Sequence, residues 1–238
     1  MKLASGWQIG SVVVALATPF VVVAFAGLLF LNPFWFDFEQ DRSGVAALTG
    51  YTPSEVRQVT GSILSDLVFG PPSFDVSVGG VPVLDARERS HMADVRTFLL
   101  KLYGAALVAG AIIAVAGLRS RGGSWFWGAL AAGGKLTVAG VAVVGIGFAV
   151  FFEQAFELFH ELFFSAGSYS FDPSKEKLVQ LFPDQLWFET SVGIAVAVLG
   201  LALLVAYAAG RIAVRTAPPG GPVEPSADDM ASAPEGRP

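Results

Sequence analysis

The sequence predicts a mainly α membrane protein: four transmembrane helices carrying a small extracytoplasmic cap that contains an amphipathic helix and a β-hairpin. Three observations predict it. The chain is 53% hydrophobic and only 15% charged, whereas soluble domains carry about 25% charged residues. The apolar residues gather in four runs, each long enough as a helix to cross a hydrocarbon core of roughly 30 Å. Two longer, water-compatible stretches separate the first run from the second and the third from the fourth, and they hold the signals of the cap.

The first run covers about 10–31, with only Lys2 and Gln8 as interruptions before it. Ala24-Phe25-Ala26 resembles a signal-peptide cleavage site, but Gly27-Leu28-Leu29-Phe30-Leu31 prolongs the apolar run, so the segment reads as a span. The second span is about 95–118, the third about 125–152 and the fourth about 190–209. Arg119 and Arg121 occupy the short loop between spans two and three, and Arg211 and Arg215 follow span four. Short basic loops stay cytoplasmic, which sets both termini inside and the loops at about 32–94 and 153–189 outside. Arg87, Arg89, Arg96 and Lys101, near the outer end of span two, oppose that orientation without reversing it. They are also placed to meet lipid phosphates. Lys135 lies within the third run, close enough to the cytoplasmic loop to snorkel.

The first outer loop opens on Asn32-Pro33-Phe34-Trp35-Phe36-Asp37-Phe38, an aromatic cluster of the kind that collects at membrane–water boundaries. Thr52-Pro53-Ser54-Glu55 is a helix start with a capping box, and Val56, Val59, Ile63 and Leu67 then recur at helical spacing up to Gly70-Pro71-Pro72. This is the amphipathic helix, expected to lie on lipid or on the spans. Phe74 to Val78 and Val81 to Leu84 flank Gly79-Gly80 and read as a hairpin, with Pro82 on an edge strand. Residues 1–215 therefore form the membrane domain. Residues 216–238, rich in Pro, Gly, Ala and acid, are expected to be a disordered cytoplasmic tail.

The chemistry narrows quickly. Without cysteine there are no disulfides, thiolate nucleophiles or thioether haem links. The net charge of −5 resides mostly outside the spans and suggests no nucleic-acid partner. His160-Glu161 begins an HExxH pattern, but Phe164 stands where a second zinc ligand belongs. No phosphate-binding GxxxxGK[ST] loop occurs, and no metal or cofactor is expected. Two histidines remain, His91 and His160, each at the outer end of a span. Asp94 shares a helical face with His91, and Glu153 and Glu157 share one with His160. Counted from the inner loop, straight helices would leave the two imidazoles about 12 Å apart in height. Bending 153–164 into the membrane plane would remove that difference.

At these residues the chain resembles a family of four-span bacterial membrane proteins whose characterised members are lipoprotein intramolecular transacylases. The likeness rests on Arg87-Glu88 before His91-Met92-Ala93-Asp94-Val95, on Phe156 to His160 with Phe163-Phe164, and on Tyr169-Ser170-Phe171-Asp172-Pro173 continuing through Leu178 to Leu181-Phe182-Pro183. It extends over about residues 10–210. Tyr169 stands where a tryptophan is expected, and Lys175-Glu176-Lys177 departs from an acidic pattern.

The resemblance implies an enzyme of the bacterial cytoplasmic membrane, with its site at the outer leaflet and diacylglyceryl-modified lipoproteins and membrane lipid as partners. The sn-2 acyl chain of the N-terminal diacylglyceryl-cysteine would move to that residue's α-amino group, giving a lyso-form lipoprotein. An imidazole with an ordinary pKa of about 6.5 suits both proton removal from the amine and proton return to the leaving oxygen. The expectation is His91 as general base and then acid, oriented by Asp94 or Glu88. His160 would stabilise the oxyanion or share the proton, supported by Glu157, and the two histidines can exchange roles. Arg87, Phe156, Phe164 and Tyr169 are the candidate substrate-binding residues. The rival readings are a b-type cytochrome with both histidines as axial ligands, and a non-enzymatic scaffold or sensor.

Overall fold

A computed structural model describes residues 2–165 and 167–217. The long helices are α1 (Lys2–Phe30), α5 (Ala86–Ser120), α6 (Ser124–Val150) and α9 (Asp184–Thr216). All four are long and apolar enough to cross a membrane. Between them come α2 (Pro33–Arg42), α3 (Val45–Thr49), α4 (Pro53–Val68), the two-stranded antiparallel hairpin β1 (Ser77–Val78) and β2 (Val81–Pro82), α7 (Phe152–Phe163) and α8 (Lys177–Leu181). The expected tail lies, from residue 218 onward, outside the described residues.

Helix α1 is central to the bundle and touches α5, α6 and α9, while α6 and α9 pack along most of their lengths. Small residues permit the close approach, as is usual where helices meet in lipid. A Cβ at Gly134 would stand 2.8 Å from the Ala202 carbonyl oxygen, and one at Gly133 would stand 2.5 Å from Thr18 Cβ. Val22, Ala26, Val198 and Ala202 form the buried seam above these glycines. Lys135 is exposed on the lipid-facing side of α6, consistent with snorkelling.

The cap has its own core, in which Val59, Ile63, Phe74, Leu84, Leu181 and Leu186 are all but inaccessible. The amphipathic helix α4 forms with its predicted capping box: the Glu55 N–H donates to Thr52 Oγ1 and the Thr52 N–H donates to Glu55 Oε2. Its apolar face is buried in the cap, against α2, α3, the hairpin segment and α5, so it lies on neither lipid nor the spans alone. Gly79 and Gly80 supply the positive φ of the hairpin turn, at 59° and 80°.

Three elements go beyond the sequence expectations. The aromatic stretch after Asn32 is helix α2: Asn32 accepts from the Trp35 N–H, and Pro33 takes the first turn. Its alternation of aromatic and acidic residues hides a helical face that buries Phe36, Glu39 and Gln40. Helix α5 begins at Ala86, well before the apolar run, because Asp85 accepts from the N–H groups of Arg87 and Glu88 while Glu88 accepts from the Asp85 N–H. Helix α9 likewise begins at Asp184, after Pro183. Hydropathy locates the lipid-buried part of a helix and is silent on the polar turns beyond it.

Candidate active site

The two histidines meet. The first turns of α5 bring His91 to the underside of the cap, and α7 brings His160 to the same place after a break in the helix at Phe151 (φ −124°, ψ 46°). The break serves the purpose that the height difference demanded of 153–164. The imidazole centroids lie 5.9 Å apart with the rings 26° from parallel. Both residues are buried, His91 at 6% exposure and His160 at 9%.

Aromatic rings enclose the pair. Phe164 stands 5.1 Å from His91 and 5.3 Å from His160, centroid to centroid. Phe156 lies 4.4 Å and Tyr169 5.2 Å from His160, and Phe171 lies 5.5 Å from His91. Behind Phe164, Phe98 of α5 packs edge-on to Phe159 and Phe163 of α7, joining the two helices that carry the histidines. Phe171 had been legible only within the longer Tyr169–Pro173 motif. Phe98 and Phe159 had no site assignment. The signal for Phe98 is its position seven residues beyond His91, two turns along the same face.

The hydrogen bonds of the two rings differ. The Phe156 carbonyl, which can only accept, is 2.7 Å from His160 Nδ1, so Nδ1 carries the proton and donates. The neutral ring then keeps its lone pair on Nε2. Burial pushes the His160 pKa below its ordinary 6.5, with the Phe156 hydrogen bond opposing the shift, and so favours the neutral base. His91 Nδ1 is buried and has no hydrogen-bond partner among the described residues.

The four carboxylates singled out for these rings lie elsewhere. Glu88, 2% exposed, caps α5 and accepts from the Leu178 N–H at 2.7 Å, which ties α8 to α5. Asp94 is exposed one turn below His91 and lines a neighbouring cleft. Glu153 and Glu157 are exposed on α7, and the backbone partner of His160 leaves Glu157 no part in fixing its tautomer. Spacing of three or four residues gave the correct helix faces. The partners, however, were the nearer backbone groups. Arg87 faces the loop above the site: it donates to the Ser170 carbonyl, pairs with Glu176 and stacks over Phe171 at 4.7 Å. Together Arg87 and Glu88 fasten the 169–178 segment as a roof over the imidazoles.

The family model described as lipoprotein intramolecular transacylase Lit matches residues 12–187 of the chain. No curated protein is significantly similar to it in sequence. Among solved structures, the chain resembles the membrane integral lipoprotein intramolecular transacylase Lit of Bacillus cereus, with a TM-score of 0.75 at 22% identity over 89% of this chain and 97% of that one. Two further structures of the Bacillus cereus protein, in which a single histidine is replaced by arginine or by alanine, give TM-scores of 0.74 at 22% identity. They cover 90% of this chain and 94% and 96% of theirs.

Proposed function

The chain belongs to the lipoprotein intramolecular transacylase family, and on that premise we propose that the stacked pair His91–His160 is the acid–base centre of the acyl transfer. The chain is a membrane acyltransferase of that family. Its substrate is a diacylglyceryl-modified lipoprotein, whose sn-2 acyl chain passes to the α-amino group of the modified cysteine. Nucleophile and ester belong to one molecule, so the site has to fold that molecule into an attack geometry and keep water away from the ester. The aromatic enclosure is suited to both tasks.

The single observation that carries this reading is the buried contact between the two imidazoles, with one tautomer fixed. His160 Nε2 takes a proton from the amine as its nitrogen bonds to the acyl carbon. The resulting imidazolium returns that proton to the glycerol oxygen as the ester C–O bond breaks. His91, which has no hydrogen bond among the described residues, gives its ring N–H to the carbonyl oxygen as negative charge develops there. This exchanges the roles expected from sequence, because the Phe156 carbonyl fixes His160 as the base. The axial-ligand reading is disfavoured: the rings lie face to face within an aromatic shell, whereas a haem iron requires ring nitrogens aimed at it from opposite sides.

The protein would work in the bacterial cytoplasmic membrane with the cap outside and both termini cytoplasmic. Arg119, Arg121, Arg211 and Arg215 lie at the bundle end remote from the cap, which supports that orientation. Expression in a bacterium that makes only diacyl lipoproteins, followed by mass spectrometry of a lipoprotein N-terminus, tests the activity. Lyso-form lipoprotein carrying an N-linked acyl chain is the expected product. Unaltered diacyl lipoprotein, with the protein present in the membrane, would favour the scaffold reading.

A further inference from the structure

From residue 86 to 101, helix α5 carries six charged side chains, and four of them are engaged within the protein. Arg87 holds Glu176 and the Ser170 carbonyl, Glu88 holds the backbone N–H groups of Asp85 and Leu178, Arg89 pairs with Asp75, and Arg96 donates to the Asp66 carbonyl. Asp94 and Lys101 are the exceptions. Both are exposed, neither has a hydrogen bond or ion pair among the described residues, and both line the same cleft of about 180 Å³. Thr97 and Phe98 lie between them, and Phe163 and Phe164 of the α7 end form the facing wall. Phe164 is also the ring packed on both imidazoles, so the cleft and the histidine pair share a wall.

The cleft is open to the lipid side. Helix α5 rests along α1 and has little contact with α6, whose Phe126 meets Gly117 beside the short turn that joins the two helices. Away from that turn, the α5 face below Lys101 is exposed and formed by Ala105, Val108 and Ile112. Lys101 is seventeen residues above Leu118, or about 25 Å along a helix. That height lies near the outer boundary of a hydrocarbon core roughly 30 Å thick, within side-chain reach of the interfacial layer that holds lipid ester carbonyls.

Read from the cap downward, this face presents an anion, a hydroxyl, a cation and then an apolar track. The diacylglyceryl-cysteine end of a lipoprotein, read in the same direction, presents a cationic α-amine, a thioether-linked glycerol, ester carbonyls and then acyl chains. The lengths agree as well. Asp94 and Lys101 are separated by a rise of about 10 Å, and the α-nitrogen and the sn-1 ester carbon of an extended diacylglyceryl-cysteine lie roughly 10 Å apart. We infer that this stripe is the substrate-docking site: Asp94 binds the α-ammonium, Lys101 binds the carbonyl of the sn-1 ester that is not transferred, and the sn-2 ester is left between them beside the histidine pair. Asp94 is thus a substrate-binding residue, and the amine it holds lies one turn from His91. The inference rests on the proposed function for the identity of its ligand.

Two lipopeptides that cannot react test it on the wild-type full-length protein in nanodiscs. One has a free α-amine and two ether-linked chains. The other has an acetylated amine, an ester-linked sn-1 chain and an ether-linked sn-2 chain. Asp94→Asn should weaken the free-amine ether probe by about tenfold, as loss of a charge-assisted hydrogen bond does, and leave the acetylated probe unchanged. Lys101→Met should weaken the acetylated sn-1 ester probe by about three- to tenfold and leave the ether probe unchanged. Both substituted positions are exposed, so a misfolded variant would be recognised by its loss of both probes. A folded variant that weakens both probes equally, or neither, overturns the docking site. If the wild-type protein binds neither probe, the lipoprotein reading falls together with it.

Discussion

His160 holds its ring proton on Nδ1 because the carbonyl one helical turn back, at Phe156, can only accept it. In the proposed mechanism this makes His160 the base, with a consequence in pH. The base is competent when neutral, and burial sets its pKa below 6.5. Acid therefore removes activity as pH falls through that depressed value. The substrate amine, with an ordinary pKa of about 7.7–8.0, adds a second rise on the alkaline side. A profile of kcat/KM against pH should show one inflection below 6.5 and one near that of the free amine; a lower inflection well above 6.5 would mean that His160 is not the neutral base. At this scale the sequence was half legible. Two histidines in an otherwise apolar chain marked the site. The carboxylates beside them in sequence misled, because a helical face says where a side chain starts and not what it reaches. Glu88 ends on the Leu178 N–H and Asp94 in the cleft.

Among the elements, the decisive one is the roof over the imidazoles. It is an irregular segment from Tyr169 to Glu176 followed by the single turn α8, whose Leu178 and Leu181 enter the cap core. Its position depends on Arg87 and Glu88, adjacent residues in the first turn of α5. Glu88→Ala would remove half of the α5 capping box and leave the buried Leu178 N–H without an acceptor. The expected cost is roughly 2–4 kcal/mol, seen as a lower melting temperature and faster hydrogen exchange at residues 170–178. Unchanged exchange there would show that the roof is held by packing alone. Sequence found the Arg87-Glu88 and Tyr169–Pro173 motifs without showing that one grips the other, since the contact joins residues some ninety positions apart. The break between α6 and α7 was legible as a geometric necessity. Its location at Phe151 was not, because neither proline nor a helix-ending signal stands there.

For the whole molecule, four apolar runs and the two polar stretches between them were enough to give the architecture. What they omitted was the division of labour among the helices. Helices α1, α6 and α9 form a tight group whose glycines admit neighbouring backbone. Helix α5 leans against it with one face free. That free face makes a sideways approach from within the membrane possible for a substrate that is itself a lipid. It also makes the histidine pair the point at which a membrane-held ester and a water-exposed amine can be brought together.

The most direct test of that last statement is acyl transfer by the purified protein on a synthetic diacylglyceryl lipopeptide, compared for wild type, His91→Ala, His160→Ala and the double variant. General acid–base catalysis contributes about 10²- to 10⁴-fold. Each single variant should therefore lose at least about a hundredfold in rate while keeping its fold. The double variant should be little worse than either, because the two rings act as one unit. Near wild-type transfer by either folded single variant would contradict the account.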